Sequence, residues 1–214
     1  GVPSPGLWKN YVQFMENKFG SKMVKARFKN KTYGYHSTTM KIVFQNGKTY
    51  YGSGRIDPFM KAFVTEMSSR DSCYSCAFKG VEHMSDITAF DCYEYTEITG
   101  NLDDDKGYSS VFIHSANGKR IFESLKPELL WQSVNLDQIV TKNGIMVNHS
   151  ARPNPKRDEF YHYAEIMPID KAMKITNPIT LSDFLIEKSK KILYKTGFIG
   201  IVRKLKKNTV ETND

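Results

Sequence analysis

Ser72-Cys73-Tyr74-Ser75-Cys76-Ala77-Phe78-Lys79 is the stretch around which the rest of the chain is read. Cys73 and Cys76 form a C-x-x-C, so both sulfurs can reach one metal ion, one edge of an iron–sulfur cluster, or each other. Arg70 and Lys79 flank the pair, and a neighbouring cation favours thiolate over thiol, so at least one of the two is expected to be more acidic than an ordinary thiol. The spacing alone leaves three readings open: redox or cluster chemistry, part of a zinc site, or two structural cysteines. Ser85-Asp86-Ile87-Thr88 comes next, and Asp86 to Tyr95 reads as a strand that gives the loop a rigid base.

Composition narrows the class. The 214 residues suit one domain with room for an appendage, and 40% hydrophobic with 13% aromatic residues argues for a packed core. A net charge of +8 fits an anionic membrane, a phosphorylated cofactor or nucleic acid, and equally a lysine-rich solvated surface. No nucleic-acid motif accompanies the charge, and nucleic acid is not the expected partner. Three cysteines make no disulfide framework, so a reducing cytoplasm is expected. No apolar run approaches ~18 residues, so no transmembrane segment is expected. The histidines lack metal-ligand spacing, and His83 alone stands near the thiols in sequence. Walker A, G-x-G-x-x-G and G-x-S-x-G motifs are absent.

Working outward, Ser4 and Pro5 read as a helix start and Gly20 as its stop, with Leu7, Trp8, Tyr11, Phe14, Met15 and Phe19 at helical spacing. The aromatic stripe suits core packing, with a flavin platform as the rival. Ser4, with the N–H groups of the first turn, is a candidate anion site. Met23 to Phe28 alternates, with Lys25 and Arg27 on one side. Met40 to Phe44 and Lys48 to Tyr51 flank Asn46-Gly47, a strong hairpin signal. These basic strands suit either an anionic cofactor or plain solvation. Asp57-Pro58 opens a short helix. Asn101 to Gly107 is an acidic turn, without the ligand spacing of a calcium loop. It precedes a strand at Ser109 to His114. Helices are expected over Lys119 to Leu125, from Asn135 to Lys142, from Lys156 onward, and over Leu181 to Leu193, with Leu129 to Val134 extended. Phe198 to Lys207 mixes apolar residues with Arg203, Lys204, Lys206 and Lys207. That pattern suits an anionic membrane, a partner, or a frayed basic end.

Taken in order, several stretches together resemble the C-terminal domain of the beta subunit of coenzyme F-420 hydrogenase/dehydrogenase. They are Gly1-Val2-Pro3-Ser4-Pro5, Arg27-Phe28-Lys29, Tyr33-Gly34-Tyr35, the cysteine loop, Ser85-Asp86-Ile87-Thr88, and Asp103-Asp104-Asp105-Lys106-Gly107 before Val111-Phe112-Ile113. Bacterial members encoded beside polysaccharide-synthesis enzymes are included. The resemblance covers about residues 1–165, which defines an expected domain, with 166–214 as a helical extension. It implies an α/β (or α+β) fold with a mixed sheet flanked by helices. It also implies electron transfer between an iron–sulfur centre, a flavin and a deazaflavin or nicotinamide-like acceptor.

Carried over residue by residue, Cys73 and Cys76 are the expected catalytic cysteines, as cluster ligands or a redox dithiol. Gly1, Ser4, Arg27, Arg70 and Lys79 are the candidates to line a cofactor site. In the family a Cys-His pair precedes the glycine at the place of Gly1. The expectation is therefore a longer protein, in which the cluster is completed by a ferredoxin-like region or by another redox subunit, and FAD binds. The 214 residues alone are expected to hold neither group and to show little activity. One departure stands out. Where the family has glycine followed by Asp-Phe-Trp-Gly, this chain has Phe90, Asp91, Cys92, Tyr93 and Glu94, and Phe90 would obstruct close approach of a cofactor. Cys92 is either a third ligand or a buried strand residue. The rival to the enzyme reading is an accessory scaffold that kept the fold and lost the chemistry. A zinc- or nucleic-acid-binding protein ranks last.

Overall fold

Punctuation residues set the elements. In the computed structural model, which describes residues 1–199, helix α1 (Pro5–Phe19) starts where the Ser4 hydroxyl accepts the Leu7 N–H at 3.2 Å. It ends at Gly20 in the left-handed region, φ 60°. Strands β1 (Met23–Asn30), β2 (Thr39–Phe44) and β3 (Thr49–Ser53) follow, with Gly47 at φ 80° turning β2 into β3. Asp57 caps α2 (Pro58–Val64) through the Met60 N–H at 2.8 Å. Then come β4 (Ile87–Cys92), α3 (Tyr95–Thr99), β5 (Tyr108–Ile113), α4 (Ala116–Leu125), α5 (Leu136–Lys142), α6 (Gly144–Val147), α7 (Arg157–Ile166), α8 (Ile169–Thr176) and α9 (Leu181–Lys195). The mixed α/β composition expected from the sequence is present. The strands form two antiparallel sheets, β1-β2-β3 and β4-β5, in place of one mixed sheet.

By their contacts the described residues fall into two units. One contains Gly1 and Arg70–Arg152; the other contains Val2–Ser69 and the chain from Pro153 on. Residue 165, where the sequence reading places a boundary, lies inside α7. The basic segment beyond Phe198 runs outside the described residues from 200 onward.

The unit of Val2–Ser69 and the later helices is built on alternation. Met40, Ile42 and Phe44 of β2 point to one face and are buried with Leu7, Tyr11 and Met15 of α1. Phe160 of α7 and Ile169, Ala172 and Met173 of α8 join the same core. On the opposite face of the sheet Arg27, Lys41 and Tyr51 stand in register, and the Lys41 ammonium lies 5.3 Å from the Tyr51 ring centre.

The unit of Arg70–Arg152 has a smaller core. Cys92, Ile98, Phe112, Ile139 and Val147 are buried, with Phe90 and Tyr108 packed against them. Asn135 caps α5 by accepting the Asp137 N–H at 2.7 Å. The strand read over Asp86 to Tyr95 stops at Cys92. Tyr95 instead stacks on Tyr108, ring centres 3.6 Å apart, as the first residue of α3. The residues between Leu129 and Asn135 form neither strand nor helix.

Candidate functional site

The cysteine loop is held by its backbone. Asp71–Cys73 forms a single 3-10 turn, in which Cys73 N–H bonds to Arg70 C=O at 2.9 Å and Tyr74 N–H to Asp71 C=O at 3.0 Å. Residues 146–151 then grip the loop from beside it. Ala151 N–H donates to Cys73 C=O at 3.2 Å, and Cys76 N–H donates to the Ser150 hydroxyl at 3.2 Å. Gly80 N–H donates to Val147 C=O at 2.8 Å, and the Lys79 ammonium to Met146 C=O at 3.1 Å. The Val147 side chain is buried in the core of the unit. One residue therefore ties the loop's backbone to the hydrophobic interior, which limits how far the loop can drift.

Cys73 and Cys76 are partly exposed, and neither is in a disulfide. Cys92 differs. It is 5% exposed, and burial pushes its thiol above the ordinary range, with nearby Asp103 and Glu94 adding to the effect against a hydrogen bond with Ser110. It packs as a small apolar strand residue.

The Ser85-Asp86-Ile87-Thr88 stretch anchors the sheet to the next helix. Asp86 C=O accepts the His114 N–H at 2.9 Å, and its carboxylate accepts the Ser115 hydroxyl and, at 2.8 Å, the Asn117 amide. These two donors hold the Asp86 carboxyl below the usual carboxylate range. Ser115 in turn caps α4 by accepting the Gly118 N–H at 3.0 Å. The Thr88 hydroxyl bridges Ser85 at 3.0 Å and His114 Nε2 at 2.9 Å, and the His83 and His114 rings lie 5.3 Å apart. The acidic turn also closes locally. Asp103 accepts the Asp105 N–H at 2.7 Å, and Asp104 pairs with the Lys106 ammonium at 3.0 Å.

Of the residues expected to do chemistry, Arg70, Cys73, Cys76 and Lys79 share one loop, and Gly1 groups with the same unit. Ser4 and Arg27 belong to the other unit, where the Ser4 hydroxyl oxygen caps α1 and Arg27 lies on the exposed face of β1. An open groove in that unit, lined by Glu16, Lys22, Gln45 and Asn46 among others, contains none of the expected residues. Sequence reasoning missed Ser150 and the whole 146–151 clamp, which no local pattern connects to a loop some seventy residues earlier. It also missed His114, although that residue ends an apolar run.

The thiol loop, set beside a two-stranded sheet and braced through Val147, defines a small thiol-bearing domain. A family model for the C terminus of the coenzyme F420 hydrogenase/dehydrogenase beta subunit matches residues 1–138, and the chain belongs to that family. No curated protein and no solved structure matches it. The match takes in the cysteine loop, the Asp86 stretch, Phe90 and the acidic turn, and ends within α5, before the 146–151 clamp.

A four-thiolate cluster does not fit the described residues by themselves. Cys73 and Cys76 offer two sulfurs, and the third cysteine is committed to the core. Among the described residues no three His, Cys, Asp or Glu side chains are placed to hold a metal ion. No helix among them is long and apolar enough to cross a membrane.

Proposed function

We propose that the chain is the redox domain of a hydrogenase/dehydrogenase beta subunit. In the complete assembly it would serve electron transfer between an iron–sulfur centre, a flavin and a deazaflavin or nicotinamide-like acceptor. The observation that supports this reading is the Cys73–Cys76 loop. A thiol that ligates or exchanges electrons must be reachable yet held in place, and both cysteines are partly exposed on a loop tied to residues 146–151 by three backbone groups and the Lys79 ammonium. In this reading Cys73 and Cys76 contribute two thiolates, and a ferredoxin-like region or another redox subunit supplies the remaining ligands. In the same reading Arg70, Lys79 and Gly1 are the cofactor candidates of the thiol-bearing unit, and Ser4 and Arg27, in the other unit, are separate candidates to donate to the phosphates of FAD. A bacterial cytoplasm belongs to the same reading, and a link to polysaccharide synthesis goes with the scaffold reading below.

The test is an absorbance spectrum of the full-length protein purified without oxygen, beside Cys73→Ser and Cys76→Ser variants. Iron–sulfur and flavin bands that weaken in the variants support the redox domain. A featureless visible region, unchanged by the substitutions, rejects it.

A second reading, a scaffold without chemistry, is favoured by one contact. Phe90 stands where the family carries glycine, and its ring packs edge-on against Phe112 at 5.0 Å. In this reading that ring takes up space a cofactor ring would need. A featureless spectrum together with stable association with a redox subunit would favour this reading.

A further inference from the structure

Helix α9 is inside out. Its acidic and hydrogen-bonding residues face the body of its own unit. Glu187, 4% exposed, accepts the Ser53 hydroxyl and pairs with the Lys191 ammonium at 3.0 Å. Asp183 pairs with the Lys61 ammonium at 3.1 Å and closes a capping box with Thr180. Lys191 also donates to Tyr51 C=O at 3.3 Å and lies 5.3 Å from the Tyr33 ring centre. On the opposite side Leu181, Leu185 and Ile192 are 76%, 58% and 53% exposed, with Phe184 beside them at 53%. A surface helix ordinarily turns its apolar stripe to the core and its charges to water. The reversal leaves an apolar stripe that asks for a cover.

The stripe itself indicates which cover. Exposed Lys188 and Lys195 fall within it, giving Leu181, Leu185, Lys188, Ile192 and Lys195 at the i, i+4, i+7, i+11 and i+14 spacing of one helix face. A second copy of the helix, or an apolar protein groove, would have to desolvate both ammonium groups in its seam, which is costly without buried counter-charges. At a lipid surface the same lysines lay their carbon stems along the acyl chains and raise their heads to the phosphates. Both acidic residues of the helix are occupied on the inward side, so the outward face carries cations alone. In sequence, Arg203-Lys204-Leu205-Lys206-Lys207 adds more positive charge soon after. We propose that the outward face of α9 binds the surface of a membrane containing anionic phospholipid, lying in the interface without crossing it. This inference is independent of the redox reading.

The experiment is co-sedimentation of the full chain with vesicles of phosphatidylcholine, with and without phosphatidylglycerol. Binding is expected to the anionic vesicles only, weakening as salt is added. The double variant Leu185→Asn/Ile192→Asn should bind on the order of tenfold more weakly, from the loss of buried apolar area. Lys188→Gln/Lys195→Gln should lose about fivefold per lysine. All four side chains are exposed, so thermal unfolding of both variants should match the parent. Absence of binding to anionic vesicles overturns the proposal, as does binding that neither variant weakens. A concentration-dependent dimer that Leu185→Asn/Ile192→Asn abolishes, without vesicle binding, would give the face to a second copy and also overturns it.

Discussion

Gly118 stands directly against Asp86: a Cβ added at residue 118 would lie 2.2 Å from the Asp86 carbonyl oxygen and 2.9 Å from its carbonyl carbon. That oxygen already accepts the His114 N–H, so the backbone cannot easily retreat. The sequence places the helix from Lys119, with Asn117-Gly118 leading into it. In the structure both residues are inside α4, and the glycine is there to let the helix approach β4.

Gly118→Ala should therefore destabilise the protein, although alanine is the better helix former by ~1 kcal/mol. Overpacking against backbone is expected to outweigh that gain, for a net cost of about 1–3 kcal/mol. Urea unfolding checks it. Equal or greater stability in the variant would mean that α4 shifts freely and does not anchor the Asp86 stretch.

Asp57 carries a pH dependence of the less common sign. Its carboxyl is fully buried, accepts the Tyr11 hydroxyl at 2.6 Å and the Tyr50 hydroxyl at 3.0 Å, and caps α2. Burial raises its pKa to about 6, against the lowering effect of those hydrogen bonds. The unfolded chain releases this proton near pH ~4, so between about pH 4 and 6 the native state holds more protons than the unfolded state. The Asp57 contribution to stability is thus complete below pH ~4 and is lost as pH rises through about 6, by on the order of 3 kcal/mol. Subtracting an Asp57→Asn variant's urea midpoints from the parent's across this range isolates it. A flat difference would refute the assignment.

What was legible in the sequence is local chemistry. Ser4 and Gly20, Asn46-Gly47, Asp57-Pro58 and Asn135 each act on backbone groups within a few residues, and each element begins or turns where they stand. The interior was less legible. Nothing local in the helix expected over Leu181 to Leu193 marks Glu187 as buried; its partner Ser53 is distant in sequence. Tyr95 extends the strand pattern by composition but leaves it to stack on Tyr108. The thiol pair is visible from its spacing, whereas its clamp depends on the Ser150 hydroxyl and on backbone groups of Met146, Val147 and Ala151, and backbone groups are ones any residue can offer.

The three cysteines should separate by reactivity. In the native protein iodoacetamide should modify Cys73 and Cys76 ahead of Cys92, which must wait for the core to open, a delay of about two orders of magnitude or more. Ser150→Ala leaves the Cys76 N–H without its acceptor and should speed alkylation of Cys76 while Cys92 is unchanged. Peptide mass spectrometry over a time course reads all three sites. Cys92 reacting with the others would place it outside the core.

Phe90 is where stability and cofactor binding pull in opposite directions. Its ring packs on Phe112 at the edge of the smaller core, so Phe90→Gly removes that contact and puts glycine inside a strand. Half-buried aromatic loss with the glycine penalty should cost about 2–4 kcal/mol. On the redox reading the same change would open room for a flavin ring, which a preformed pocket needs before phosphate donors are of use. The parent is accordingly expected to bind flavin weakly or not at all, and its Phe90→Gly variant to bind it more tightly. Titration with flavin, followed by fluorescence quenching well below the variant's own unfolding temperature, separates binding from lost stability. Phe90→Ala serves as a second version that spares the strand backbone. Tight binding by the parent would show that the cofactor approaches by a path Phe90 does not block, and would remove the contact on which the scaffold reading rests.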